Sequence, residues 1–475
     1  MSFPGYSEHD GLGLADLVRR REIQPVELLD AAIERVERHN PALNAVIYKA
    51  YDEAREAAAG ELPDGPFKGV PFLIKDLGAQ VRGWPRTSGS KFAQVEADES
   101  DSELVRRYRQ TGLVLFGKTN TPEFGIPGVT NSERLGACRN PWNPDHISGG
   151  SSGGAAAVTA AGMVPMAHAS DGLGSIRIPA ANCGLVGMKV TRDRTPIAEV
   201  TDGAIGFSVH HVVSRTVRDC AAMLDATGYA RPGDPFQAPA KAGPYLDEVS
   251  RGPGRLRIAW SAETPSGQPL ADEVLQALHR TVTLLEGLGH EVFEQGLGID
   301  YRQLYRAQGV VSASNFSANV QRWITALGRE PGPDELGPLA RRGYEAGKQI
   351  TGQQALWGWQ ELRLLTRQIL EIFESFDVYL TPTMLTPPPR VDWLNPLMVD
   401  VAEFDRRSSA TYSTARPANF TGQPSVSLPL WESDSRLPIG MMFTGRFADE
   451  ATLYRLAGQL EKEQPWRGRR PPIWN

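Results

Sequence analysis

The string "SGGSSGG" occupies residues 148–154, and its composition is that of a flexible tether. Gly/Ser-rich stretches ordinarily behave as solvated coil. The flanks argue otherwise. The string runs directly into "AAAVTAAGMVPMAHAS" (155–170), and from Ile147 to Ser170 there is no Asp, Glu, Lys or Arg, although 22% of the chain is charged. Small uncharged residues at this density belong to a crowded interior. The stretch is therefore expected to be buried, its glycines serving close backbone approach or unusual dihedral angles.

Working outward, strand and helix patterns alternate. "GVPFLIKD" (69–76) is a short apolar run that reads as a buried strand. Pro25 followed by "VELLDAAIERVERHN" predicts an amphipathic helix with proline in its first turn. "SELVRRYRQTG" then "LVLFGKTN" (102–120) gives helix, glycine stop, strand. After the Gly/Ser stretch come a small-residue helix near 153–162, a strand near 163–169, a helix opening near Ser175 and a strand in "GLVGMKV". "RLRIAW", 272–289 and "HEVFEQG" repeat the cycle. So do 355–376 and "DVYLTPT", and two strands in 425–445 precede a last helix over 449–462. The pattern is that of an α/β protein with a largely buried sheet. Segments 297–354 and 381–410 are less regular and are expected to line a substrate pocket.

The totals narrow the function. With 50 Lys and Arg against 56 Asp and Glu, the net charge of −6 supplies no basic field for nucleic acid or acidic lipid. Cys138, Cys183 and Cys220 are too few for a disulfide framework or a zinc site, and no H-E-x-x-H occurs. The first twenty residues lack the apolar run of a secretory leader, and no membrane-spanning stretch follows. A soluble cytoplasmic protein without metal, cofactor, nucleic-acid or membrane partner is expected.

Several short motifs fit by letters alone. Gly149-Gly150-Ser151-Ser152-Gly153 matches the G-x-S-x-G nucleophile elbow, but the preceding "RNPWNPDHI" is turn-like and no histidine follows His290. Ser88-Gly89-Ser90-Lys91 matches S-x-x-K in a loop-like context without a later K-T-G. "GLVLFGKT" (112–119) has Walker A spacing, but its variable positions are Leu-Val-Leu-Phe, which form a strand rather than a polar cradle.

The stretch "SDGLGSIRIPAANCG" (170–184) is richer. Gly172 and Gly174 allow a tight turn before Ser175, and such a turn presents successive N–H groups to one point. That arrangement makes an oxyanion hole beside a hydroxyl; the plain alternative is a serine N-cap after a glycine turn. A serine nucleophile without a usable histidine needs another base. Lys75, at the end of an apolar strand, qualifies if burial lowers its pKa.

Lys75, "SGGSSGG", "DGLGSIRIPA" (171–180), "GKTNTPEFG" (117–125), "NFTGQPSVSLP" (419–429) and "LPIG" (437–440) together resemble the amidase signature family over most of the chain. The wording is most similar to the branch containing cyclic nylon-oligomer hydrolases and urethane-cleaving amidases. The resemblance implies a single α/β/α domain over 1–475 with a central mixed sheet flanked by helices. It implies a Ser-cisSer-Lys triad of Ser175 as nucleophile, Ser151 after a cis peptide bond, and Lys75 as base. It also implies an oxyanion hole of the Gly172, Leu173, Gly174 and Ser175 N–H groups, with Ser152, Ser170, Asp171 and Arg177 in support. The implied activity is hydrolysis of linear or cyclic amides, with carbamates and esters as further substrates and a homodimer as a possible assembly. Two other readings are an amidase subunit of a tRNA-dependent amidotransferase and a catalytically silent binding protein. Three positions depart from the family pattern: Leu173 stands for Gly, Ser170 for Thr, and Met442 for Gln.

Overall fold

The computed structural model describes residues 3–197, 206–231, 234, 236–398 and 400–474. Three early strands, β1 (Val46–Lys49), β2 (Pro71–Lys75) and β3 (Val114–Thr119), form one sheet in the order β1-β3-β2. A two-stranded ribbon follows, β4 (Arg139–Asn140) with β5 (Asn143–Ile147). The "RNPWNPDHI" stretch, read as turn-like, is this ribbon; Asn143, Pro144 and Asp145 are exposed while Asn140 and Ile147 are buried.

Among the described residues the main sheet has eight strands. They are β6 (Met166–Asp171), β7 (Val186–Lys189), β8 (Val209–Ser214), β9 (Arg257–Trp260), β10 (Glu291–Glu294), β11 (Val378–Pro382), β12 (Ser425–Glu432) and β13 (Pro438–Gly445). Their order is β10-β9-β11-β13-β12-β7-β8-β6. The β10-β9-β11 steps are parallel and the rest antiparallel, so the sheet is mixed.

The two sheets meet where β2 runs beside β6. Across that seam the Lys75 N–H donates to the His168 ring, at 3.1 Å from Nδ1, instead of to a strand carbonyl. The helix Gly153–Ala160 packs on β2, β3, β6 and β8, and so lies over both sheets. Every described residue from Ile147 to Ser170 is buried, and the small side chains let this helix sit close. A Cβ on Gly150 would fall 2.5 Å from the Val129 nitrogen, and one on Gly154 2.4 Å from the Asn120 nitrogen. The Gly/Ser string is a close-packed junction.

Segment 297–354 differs from expectation. It holds two helices, Tyr301–Leu327 and Pro338–Lys348, which pack on each other; the first also packs on Gly352–Ile372, whose Ile369 meets Ala259 of β9 and Tyr379 of β11. The first carries only Leu304, Ala307, Val311 and Val320 as buried residues over its length, too sparse a stripe to reveal a helix by periodicity. Segment 381–410 has one helix, Val401–Ser409, after an irregular proline-rich run. No helix among the described residues is long and apolar enough to cross a membrane.

Candidate active site

Lys75 ends β2 with no exposed surface. Its Nζ lies 2.7 Å from Ser151 Oγ, 2.9 Å from Ser152 Oγ and 3.1 Å from Ser170 Oγ. Burial pushes its pKa down to about 7, against the opposing pull of the Asp171 carboxylate. A neutral amine has two hydrogens and one lone pair, so one of the three hydroxyls must donate to it. Ser152 donates to the Ser170 carbonyl oxygen at 3.2 Å, and Ser151 makes the shortest contact. Ser151 is thus the natural proton donor to the lysine.

The peptide bond between Gly150 and Ser151 is cis. Thr121 Oγ1 donates to the Ser151 carbonyl oxygen at 3.0 Å and ties this turn to the segment after β3. Ser151 is 2% exposed, with its hydroxyl turned to Lys75, which is not how an elbow nucleophile is presented.

A second network starts one residue after Ser170. The Asp171 carboxylate accepts from the Gly174 N–H at 2.6 Å, the Ile176 N–H at 3.1 Å, Arg177 Nε at 3.0 Å and Asn419 Nδ2 at 2.9 Å. Burial alone would raise its pKa, but the Arg177 charge and these hydrogen bonds hold it far below the usual carboxylate range. Arg177, also without exposed surface, reaches the Ala415 carbonyl oxygen at 2.7 Å and Asn419 Oδ1 at 2.6 Å. Asp171 therefore grips the chain on both sides of the half-buried Ser175.

This grip alters the expected oxyanion hole. The Gly174 N–H is directed at Asp171 Oδ1 and is withdrawn from the set. The N–H groups of Gly172, Leu173 and Ser175 have no hydrogen-bond partner among the described residues. The helix begins at Arg177, not Ser175, and Asp171 accepts from the Gly174 and Ile176 N–H groups just before it. Leu173 packs against the cluster of Phe207, Leu304, Val311 and Leu362, so its side chain joins the loop to the covering helices. Met442 places its sulfur 3.4 Å from Arg177 Nη1, a weak acceptor where the family pattern has an amide.

Asn419 lay inside a quoted motif without being singled out, and the structure makes it a ligand of both Asp171 and Arg177. His168 and His210 read from the sequence as structural histidines; a histidine on an apolar strand carries no local signal of a partner such as the Lys75 N–H, which another sheet brings to His168. The discounted motifs are structural. Lys118 of the Walker-like string is buried against Asp76 at 3.5 Å, and the half-buried Lys91 pairs with Glu133 at 2.7 Å. A recess of about 420 Å³ adjoins the second network, floored by Thr381, Met442 and Thr444 and walled by Tyr301, Ile369 and Phe373.

The amidase family model matches residues 27–454. The chain is 36% identical to the 6-aminohexanoate-cyclic-dimer hydrolase of Paenarthrobacter ureafaciens, over 98% of this chain and 97% of that protein. The solved structure of a 6-aminohexanoate cyclic dimer hydrolase complexed with substrate superposes with a TM-score of 0.91 at 33% identity, over 99% of this chain and 100% of the other. A bacterial aryl acylamidase of the amidase signature family superposes with a TM-score of 0.86 at 29% identity, over 96% of each chain. With family, relatives and fold in agreement over nearly its whole length, the chain belongs to the amidase family and is a hydrolase acting on C–N bonds.

Proposed function

We propose that the chain hydrolyses linear and cyclic amides through an acyl-enzyme on Ser175, with carbamates and esters as further substrates. The observation that carries this reading is the fully buried Lys75 Nζ at 2.7 Å from Ser151 Oγ. In this mechanism neutral Lys75 takes the Ser151 proton, Ser151 takes the Ser175 proton, and Ser175 Oγ attacks the carbonyl carbon. The oxyanion is met by the N–H groups of Gly172, Leu173 and Ser175. Ser151 returns a proton to the leaving amine, and water then attacks the acyl-enzyme with the same groups reversed.

A cyclic amide is the favoured substrate class, since two relatives matched over nearly their full length are named for a cyclic dimer. The apolar walls of the neighbouring recess suit an aliphatic segment. Treatment with a fluorophosphonate followed by peptide mapping tests the nucleophile. One adduct on Ser175, lost in Lys75→Ala, is the expected result; an adduct on Ser151, or none, overturns it.

A further inference from the structure

We propose that His168, held by His210, is a positioning residue for Lys75: it bridges the seam between the two sheets and keeps the space behind the lysine dry and uncharged. The proposal rests on Lys75 being the base of the reaction proposed above.

The argument begins with donors and acceptors. A backbone N–H can only donate, so the Lys75 N–H fixes His168 Nδ1 as an unprotonated acceptor. A neutral His168 then carries its hydrogen on Nε2, which lies 2.9 Å from His210 Nδ1. His210 must accept there, and its own hydrogen goes to Nε2. The chain from Lys75 through His168 to His210 assigns both tautomers without ambiguity.

The surroundings favour neutrality. His168 has no exposed surface and His210 has 7%; their rings lie parallel with centroids 5.2 Å apart, and the Tyr108 ring closes the other side at 5.8 Å. Burial pushes both imidazoles away from the charged form, as does Lys75 whenever it is protonated, and Lys118 adds to this at His168. The other titratable groups that act here are Asp171, across β6, which draws Lys75 toward its charged form; His211, across β8, which burial also holds neutral; and Asp76, next to Lys75 in the chain and paired with Lys118. The position is consequential. Ser170 and His168 are two apart on β6 and so share a face, with Ser170 Oγ contacting Lys75 Nζ while His168 holds the Lys75 main chain. One strand thus sets both ends of the lysine.

Removing the imidazole opens room at the seam for water, and water beside Lys75 raises its proton affinity. Asparagine retains an acceptor near the Nδ1 position. The test is titration of Lys75, followed through its ¹³Cε resonance, in wild type, His168→Ala and His168→Asn, with the pH dependence of kcat/KM on an acyl anilide measured in parallel. The expected result is a Lys75 titration raised by at least about half a pH unit in His168→Ala, with the acid limb of kcat/KM moving with it and His168→Asn restoring both. An unmoved Lys75 titration with only a lower Tm makes His168 a seam filler and overturns the proposal. A titration that moves while kcat/KM ignores it supports the positioning role and sinks Lys75 as the base, so the two failures are distinguishable. Should His168→Ala not fold, His210→Phe removes the acceptor for His168 Nε2 and is expected to move the titration in the same direction by less; no movement there overturns the proposal equally.

Discussion

Ser170 and Asp171 are successive residues of β6 and serve opposite sides of it: one hydroxyl contacts Lys75 Nζ at 3.1 Å, and the next carboxylate holds Arg177 at 3.0 Å. The two-residue period of a strand is what separates the lysine contact from the loop anchor here. A single strand end supplies both.

If the Lys75–Ser151 contact is the proton path, activity requires lysine in its neutral form. With its pKa pushed down to about 7, kcat/KM should fall about tenfold per pH unit below that value and level off above it. Lys75→Ala should lower kcat/KM by about 10²–10⁴-fold at pH 8, and Lys75→Arg should not restore it, because guanidinium stays protonated. A pH–rate series on an activated anilide checks both.

The same burial costs stability. Between about 7 and the unfolded value of 10.5, the unfolded chain binds the Lys75 proton and the folded chain does not, so this group's contribution to stability rises with pH across that window. Lys75→Met should therefore raise Tm relative to wild type by more at pH 7 than at pH 10. Thermal unfolding of the pair at both values, with an equal difference found, would count against the depressed pKa.

Asp171→Asn leaves Arg177 buried and short of a counter-ion. Breaking one partner of a buried pair costs about 3–5 kcal/mol, and the turn on either side of Ser175 loses its anchor. The expected outcome is a large drop in Tm together with a kcat loss that high substrate does not recover. Calorimetry and saturation kinetics read the two effects separately.

Leu173→Gly removes the side chain that joins the Ser175 loop to Phe207, Leu304 and Val311. Substrates with bulkier acyl groups should show a lower KM in this variant, while small acetyl anilides gain nothing. Kinetics across an acyl-length series checks the direction; a uniform change across the series would rule out a role for Leu173 in acyl-group selection.

Much of this site was readable from residue order, and the limits have physical reasons. The absence of charge from Ile147 to Ser170 is a direct consequence of burial, so it survives in the sequence as composition. Lys75 after an apolar strand and Ser175 after a glycine turn are likewise local signals. The Gly174 N–H was misassigned because its competitor, Asp171 Oδ1, depends on how the turn closes, which residue identity does not specify. Asn419 and His168 act on residues more than 90 positions away, and no local pattern encodes such a partner. The Tyr301–Leu327 helix went unread because it buries so little along its length.

The helix Gly153–Ala160, lying over both sheets, also sets an order of events during synthesis. When the ribosome has delivered β1, β2 and β3, strand β2 still presents an open edge, because its neighbour β6 and the helix that covers both have yet to be made. The nascent chain must carry that edge unprotected until residue 171 has emerged from the exit tunnel. Fragments ending before β6 should accordingly aggregate or recruit holding chaperones, and slow codons placed between β3 and β6 would lengthen the exposure.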